Sequence, residues 1–471
     1  MKSDNYVFGM IGLGTMGRNL LLNMADHGFK VAGHDKDQAK IDTLANESGK
    51  ANVKGFLSLQ EFIDSLRKPR AVMLLVPAGK IVDNVIAELT PLLDEGDLII
   101  DGGNSHFTDT NRRVEELKAK RLHFFGMGVS GGEEGARNGP SMMPGGDVKA
   151  YSVVQPIFEA VAAKVNGEPC VTYIGPGAAG HFVKMVHNGI EYGIMQMIAE
   201  TYEFMRKGLK LPDEKIHSAF KTWNEGRLQS FLIEITRDIL CFYEQGADHL
   251  LLHDIKDEAR SKGTGKWTSQ VAMDLQTPLS VVDTAVAMRD LSKYKALRTL
   301  ASSFYRGEEA PLEATGEEYI QALESSLYFA TIIAYAQGMH LLAQASIEFK
   351  YDLKLDRIAL IWRGGCIIRS AFLQDIYLAY KNDSSLSHLL VDKSIQKKVN
   401  DLIPETRRVL SSAVTAGIAM PAQTAALSYF DSLRSAQMPS NLIQAQRDYF
   451  GAHTYERIGK EGVFHTQWFA K

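Results

Sequence analysis

The sequence predicts a doubly wound α/β domain followed by an all-helical domain and a C-terminal tail. Three observations carry this. Short apolar runs alternate with helix-like segments through the first third of the chain. After Tyr173-Ile-Gly-Pro-Gly177 the β-like runs give way to long helical periods. Beyond Met438-Pro439-Ser440 the chain is aromatic and basic, with little apolar periodicity. The domains therefore fall at residues 1–177 and 178–436, with the tail at 437–471. A chain of 471 residues, 45% hydrophobic, is long enough to bury more than one core. With 52 basic and 56 acidic residues it has no long-range field to attract nucleic acid or an anionic membrane. Apolar runs such as Leu327 to Ala336 are too short to span a bilayer. Cys170, Cys241 and Cys366 are widely separated, without disulfide-framework or metal-ligand spacing, which fits a soluble protein of the reducing cytoplasm.

Taken in order, the first element is a strand at Tyr6 to Ile11, followed by Gly12-Leu-Gly14-Thr15-Met16-Gly17 and a helix from Arg18. The first glycine permits a tight turn, the second lets a pyrophosphate approach the backbone, and the third lets helix and strand pack closely. A second strand at Phe29 to Gly33 leads to Asp35, placed to accept a ribose 2′-hydroxyl, with Lys36 beside it. Ala71 to Val76 and Asp97 to Asp101 read as strands buried on both faces. The loops after them, Val76-Pro77-Ala78-Gly79 and Asp101-Gly-Gly-Asn104-Ser105, become the lips of the cleft. The strand at Leu122 to Gly126 runs into a loop, Gly128-Val-Ser130-Gly131-Gly132, whose hydroxyl and N–H groups could hold a carboxylate. The competing readings are a loop glycine-rich for conformation alone, and an Asx turn at Asn104.

His181 to Gln196 reads as a helix. At about 100° per residue, Lys184, His187, Asn188 and Glu191 share one stripe, with the amine and carboxylate about 10 Å apart along the axis. Alone, such a stripe is a solvated face; beside a dinucleotide site it can place a base and an acid at two ends of a small polar molecule. Further helices are expected at Asn224 to Tyr243, Gly316 to Ala345, Asp356 to Gln374 and Pro404 to Leu433. Lys262-Gly-Thr264-Gly-Lys266-Trp-Thr268 reads as a flexible loop able to grasp a phosphate monoester, without P-loop spacing. Arg289 could add a guanidinium, although on its own it reads as a surface residue. The tail, with Arg447, Tyr449, Phe450 and His453, is expected to dock on another subunit rather than fold alone.

Several blocks in order resemble the 6-phosphogluconate dehydrogenase family over nearly the whole chain: Gly12 to Asn19, Asp101 to Asn104, Ser130 to Arg137, Gly139 to Gly146, Lys184 to Tyr192, Lys262 to Trp267, Trp362 to Arg369 and Arg447 to His453. The resemblance implies an α/β Rossmann-type N-terminal domain, an all-α domain, and a homodimer whose tail reaches the partner's active site. It implies NAD or NADP as cofactor, no metal, and oxidative decarboxylation of 6-phosphogluconate to ribulose 5-phosphate and CO₂. Lys184 is then the general base and Glu191 the general acid. Asn104, Ser130, Gly131, Gly132, His187, Asn188 and Tyr192 hold the sugar acid. Lys262, Thr264 and Arg289, with the partner subunit's Arg447 and His453, surround its phosphate. The dinucleotide falls to Gly12, Gly14, Thr15, Met16, Gly17, Asp35, Lys36, Val76, Pro77, Ala78 and Asn104. Where NADP-using members carry Asn-Arg-Ser or Asn-Arg-Thr, this chain has Asp35-Lys36-Asp37, which favours NAD. The alternatives are another β-hydroxyacid dehydrogenase of the 3-hydroxyisobutyrate type, whose chains are shorter and lack the Lys262 loop and Arg447 tail, and a non-catalytic dinucleotide sensor, against which the intact Lys184, Asn188 and Glu191 argue.

Overall fold

A computed structural model describes residues 6–49, 52–305 and 316–469. Seven strands, β1 Phe8–Ile11, β2 Val31–His34, β3 Val53–Phe56, β4 Ala71–Leu74, β5 Leu98–Asp101, β6 His123–Ser130 and β7 Ser141–Gly146, form one sheet in the order β3-β2-β1-β4-β5-β6-β7. Every pairing is parallel except β6 with β7. β1, β2, β4 and β5 are buried along their whole length, as their unbroken apolar runs require. The strand order turns back at β1, which lies between β2 and β4, so a crevice opens at the carboxyl ends of those strands.

The sequence reading placed Gly128, Val129 and Ser130 in a loop. They are instead the end of β6, and the chain turns at Gly131, where φ is +112°. Pairing with β7 extends β6: Ser130 lies opposite Ser141, a partner too far along the chain for local patterning to reveal.

The second domain is built around the helix Ala179–Glu203, buried on nearly all sides by helices Thr264–Asp274, Ser280–Ser292, Gly316–Glu348 and Pro421–Leu433. Close approach is bought by missing side chains: a Cβ on Gly189 would stand 2.6 Å from Thr268, and one on Gly338 2.4 Å from Ile190. At the far end the Glu200 carboxylate accepts hydrogen bonds from Ala422 and Gln423 N–H at 2.8 and 3.0 Å, capping helix Pro421–Leu433. Burial raises its pKa to about 7 against those bonds.

Three expected helices are shorter or divided. Asn224 to Tyr243 keeps only Phe231–Ile239. Asp356 to Gln374 breaks after Leu355–Trp362, because Gly364 and Gly365 follow and Gly365 takes φ +65°, and resumes at Leu373. Pro404 to Leu433 spans two helices, Lys393–Thr415 and Pro421–Leu433, parted at Gly417 (φ +68°). The Lys262 to Thr268 stretch is mostly not a loop, since a helix begins at Thr264. The tail has regular structure of its own: helix Ser440–Gly451 and a hairpin, Tyr455–Arg457 with Lys460–Phe464, close around the buried Asp448. That carboxylate accepts from His465, from the Thr454 and Thr466 N–H groups, and from Trp468 Nε1. Among the described residues no helix is long and apolar enough to cross a membrane.

Candidate active site

The crevice at the carboxyl ends of β1, β2 and β4 encloses about 960 Å³, part of it continuous with solvent, and is lined by Gly12, Gly14, Asp35, Lys36, Val76 and Pro77 among others. Its glycine turn fits a pyrophosphate. A Cβ on Gly12 would lie 2.5 Å from the Leu75 carbonyl oxygen, and one on Gly17 1.9 Å from that of Gly12, whereas Gly14 faces open space. Helix Thr15–Asp26 starts there with no side-chain cap, so its first N–H groups are available to an anion. Thr15 and Met16 stand in that first turn, Ala78 is exposed beside Pro77, and Asn104 is exposed on the lip after β5.

Asp35 also holds the turn together. Its carboxylate accepts from Leu13 N–H at 2.9 Å, Asp37 N–H at 3.0 Å and Lys40 Nζ at 3.2 Å. Burial pulls its pKa upward, but those bonds outweigh it and keep the group ionised. Lys40 reaches both oxygens, so four bonds already fall on a carboxylate with about four lone-pair sites, and a ribose 2′-hydroxyl would take the place of one Lys40 contact. Lys36, across the mouth, pairs with Glu88 at 2.8 Å.

The central helix packs closely onto the sheet because β6 is stripped of side chains where the two cross. A Cβ on Gly126 would meet His181 at 2.5 Å, and one on Gly128 would meet the Lys184 Cβ at 2.4 Å. The amine of Lys184 is thereby driven into the interior, its residue only 6% exposed. Burial lowers its pKa from 10.5, against the pull of Glu191 and Cys366. Two turns on, Glu191 has its pKa raised from 4.5 by burial, against Lys184 and Arg289. Both shifts favour the neutral pair, an amine able to take a proton and a carboxylic acid able to give one.

Between them His187 is fully buried. Burial, then the neighbouring Lys184, push its pKa well below 6.5 against the Asn188 bond. The neutral ring donates from Nδ1 to Asn188 Oδ1 at 3.0 Å, and its Nε2 accepts from Ser130 Oγ at 3.2 Å. Ser130, His187 and Asn188 are thus one hydrogen-bonded unit on the face that carries Lys184, with Gly131 and Gly132 at the turn beside them. At the Glu191 end Tyr192 is wedged: a Cβ on Gly265 would touch its ring at 2.4 Å, and the Arg289 guanidinium lies over it at 3.5 Å. Arg289 is therefore half-buried against the site rather than a free surface residue. Thr264 is buried at the start of its helix and Lys262 is exposed just before it. Arg447 and His453 stay with the tail, bonded to Gln444 and packed on Phe450 respectively. Among the described residues no hydrogen bond or ring contact joins them to Lys262, Thr264 or Arg289.

Sequence reasoning gave no role to the residues behind the site. Trp362 packs edge-on against His187, with ring centroids 5.6 Å apart, and Cys366 donates its S–H to the Trp362 carbonyl at 3.0 Å. Burial raises the Cys366 pKa to about 12, so it packs as a thiol. The Gly364-Gly365 interruption was the available signal. Among the described residues no cluster of three His, Cys, Asp or Glu side chains could hold a metal ion.

The chain matches known proteins over nearly its whole length. Residues 7–175 match the model of the NAD binding domain of 6-phosphogluconate dehydrogenase, and residues 180–468 that of its C-terminal domain. The chain is 48% identical over 461 residues to the NADP(+)-dependent, decarboxylating 6-phosphogluconate dehydrogenase of Bacillus subtilis, covering 98% of each chain. It is 50% identical over 463 residues to the decarboxylating enzyme of Rattus norvegicus, covering 98% of this chain and 96% of the other. The Plasmodium falciparum 6-phosphogluconate dehydrogenase structure superposes with a TM-score of 0.95 at 43% identity, over 98% of this chain and 100% of that one. The chain belongs to the 6-phosphogluconate dehydrogenase family.

Proposed function

We propose that the protein catalyses the oxidative decarboxylation of 6-phosphogluconate to ribulose 5-phosphate and CO₂. The observation that carries this is Lys184 and Glu191 two turns apart on one helix, each with its charged form disfavoured by burial, beside the Ser130–His187–Asn188 unit. The substrate carries a hydroxyl at C3, β to its C1 carboxylate. A bound nicotinamide dinucleotide supplies the hydride acceptor. Lys184 removes the C3 hydroxyl proton as that carbon is oxidised. The β-keto acid then loses CO₂, because the new carbonyl takes up the electron pair left at C2; protonated Lys184 stabilises the developing enolate. Glu191 delivers a proton to the enediol. Ser130, Gly131, Gly132, Asn104, His187 and Asn188 orient the sugar acid, while Tyr192, Lys262, Thr264 and Arg289 hold its phosphate end. The full-length match favours this over the 3-hydroxyisobutyrate and sensor alternatives. One CO₂ released per reduced cofactor on adding 6-phosphogluconate is the expected result; reduction of cofactor by a non-phosphorylated hydroxy acid at an equal rate would refute the substrate.

NAD is the preferred cofactor. Both cations at the ribose end are already paired, Lys36 with Glu88 and Lys40 with Asp35, and Asp37 adds a third carboxylate. A 2′-phosphate would have to displace those pairs and face the carboxylates they neutralise. kcat/KM should be at least about tenfold higher with NAD than with NADP, roughly 1.4 kcal/mol of discrimination; a preference for NADP overturns this assignment.

The working unit is a homodimer in which the partner subunit's Arg447 and His453 complete the phosphate site. Exposed Leu442, Ile443, Tyr449 and Phe450 on the tail helix support it, because so much apolar surface calls for cover. The three free thiols fit the cytoplasm. Co-refolding equal amounts of Lys184→Met and Arg447→Ala chains should restore about a quarter of wild-type activity, since half of randomly paired dimers are mixed and each has one intact site. No restoration, with both parents inactive and dimeric, would place Arg447 in its own subunit's site.

A further inference from the structure

Arg113 has no part in the mechanism above, yet it is a fully buried cation beside the site, 1% exposed. It stands on the helix Phe107–Lys118, and its guanidinium is shared between the two lips of the crevice. On the lip after β4, its Nη2 donates to the Gly79 carbonyl at 3.0 Å and its Nε to Asp83 at 2.8 Å. On the lip after β5, its Nη1 donates to the Asp101 carboxylate at 3.2 Å and to Ser105 Oγ at 3.3 Å.

Asp101 is the junction. It is completely buried, its other carboxylate oxygen accepts from Gly103 N–H at 3.0 Å, and Ser105 donates to it at 2.6 Å, so Asn104 is held in a closed turn between bonded neighbours. The Asp101 main-chain carbonyl accepts from His181 Nε2 at 3.0 Å, and His181 Nδ1 accepts from Thr110 on the Arg113 helix at 2.6 Å. His181 lies three residues before Lys184 on the central helix. None of Asp83, Asp101, Ser105, Arg113 and His181 lines the crevice at the ends of β1, β2 and β4.

We propose that Arg113 is a positioning residue for hydride transfer: through Asp83 and Gly79 on one lip, and through Asp101 on the other, which bonds His181 of the central helix, it fixes the distance between the dinucleotide lips and the base-bearing helix. A planar five-donor fork can serve both lips at once, which a lysine ammonium cannot. The cost of relaxing it is misalignment, and a displacement near 1 Å is sufficient to slow a transfer by about 10²-fold.

The proposal rests on the dehydrogenase reading, and the test separates the two. Wild-type protein that does not oxidise 6-phosphogluconate defeats that reading; a wild type that does, with silent variants, defeats this proposal alone. Arg113→Lys and Asp83→Asn are compared with wild type for kcat, KM and the isotope effect with substrate deuterated at C3. Asp83 is partly exposed and Arg113 keeps its pair with Asp101, so this variant takes the charge from one arm without leaving the buried guanidinium unpaired. Both are expected to lower kcat, Arg113→Lys by about 10- to 100-fold, with the isotope effect on kcat rising and KM for the sugar acid within about twofold. A merely structural role lowers the folded fraction and leaves the isotope effect per active site unchanged. Wild-type kcat and isotope effect in folded Asp83→Asn overturn the proposal, whether or not Arg113→Lys folds.

Discussion

Lys184→Met should bind 6-phosphogluconate and dinucleotide yet turn over at least about 10³-fold more slowly. A positioned general base contributes 10²- to 10⁴-fold, and the same ammonium later steadies the enolate, so one substitution removes two contributions. The variant should also melt higher. Burial lowers the Lys184 pKa, so between its folded value and 10.5 the unfolded chain holds a proton that the folded one lacks, and wild-type stability rises with pH through that window. Below the folded value the burial penalty is complete. The gain in Tm from methionine is therefore largest at low pH and vanishes above 10.5, a pattern that thermal melts at several pH values would read. A Lys184→Met protein with more than a tenth of wild-type kcat would remove the amine from the chemistry.

That Lys184 could be singled out from the sequence has a physical reason, and so do the misses. The glycine turn, Asp35 and the helix bearing Lys184 and Glu191 are local: spacing within a few turns sets which side chains share a face. Burial is not local. Read in isolation, the Lys184 stripe was a solvated one; it became interior only because Gly126 and Gly128, more than fifty positions earlier, let the helix press onto β6. The strand end at Ser130 was missed because its partner β7 returns antiparallel from beyond a helix. Arg113 and Asp101 are twelve positions apart and join two different loops, a relation no periodicity encodes. Taken on its own Arg289 looked like a surface residue, and only the family resemblance gave it a place at the phosphate, because its partner, the Tyr192 ring, lies nearly a hundred positions away.

Glu191→Gln is expected to separate the second half of the reaction from the first. The amide preserves shape and can still hydrogen-bond, but it has no proton to deliver. Reduced cofactor and CO₂ should appear at near wild-type rates in a single turnover, while formation of the ketone slows by about 10²- to 10³-fold. Released enediol would then be protonated by solvent on either face. In deuterated water the wild type should label C1 of ribulose 5-phosphate with one stereochemistry, and the variant should scramble it. Retained stereochemistry with unchanged ketone formation would mean that Glu191 is not the acid. The stability signature has the opposite sign to that of Lys184. Burial raises the Glu191 pKa, so wild-type stability falls as pH rises from 4.5 to the folded value, and the gain from glutamine should grow across that window and then level off. Two substitutions on one helix, each stabilising and each disabling a different proton transfer, with opposite pH dependence, would tie the pair to catalysis: ordinary packing residues lose stability when replaced, whereas a base and an acid whose charged forms burial disfavours are held there at a cost the fold bears for the reaction.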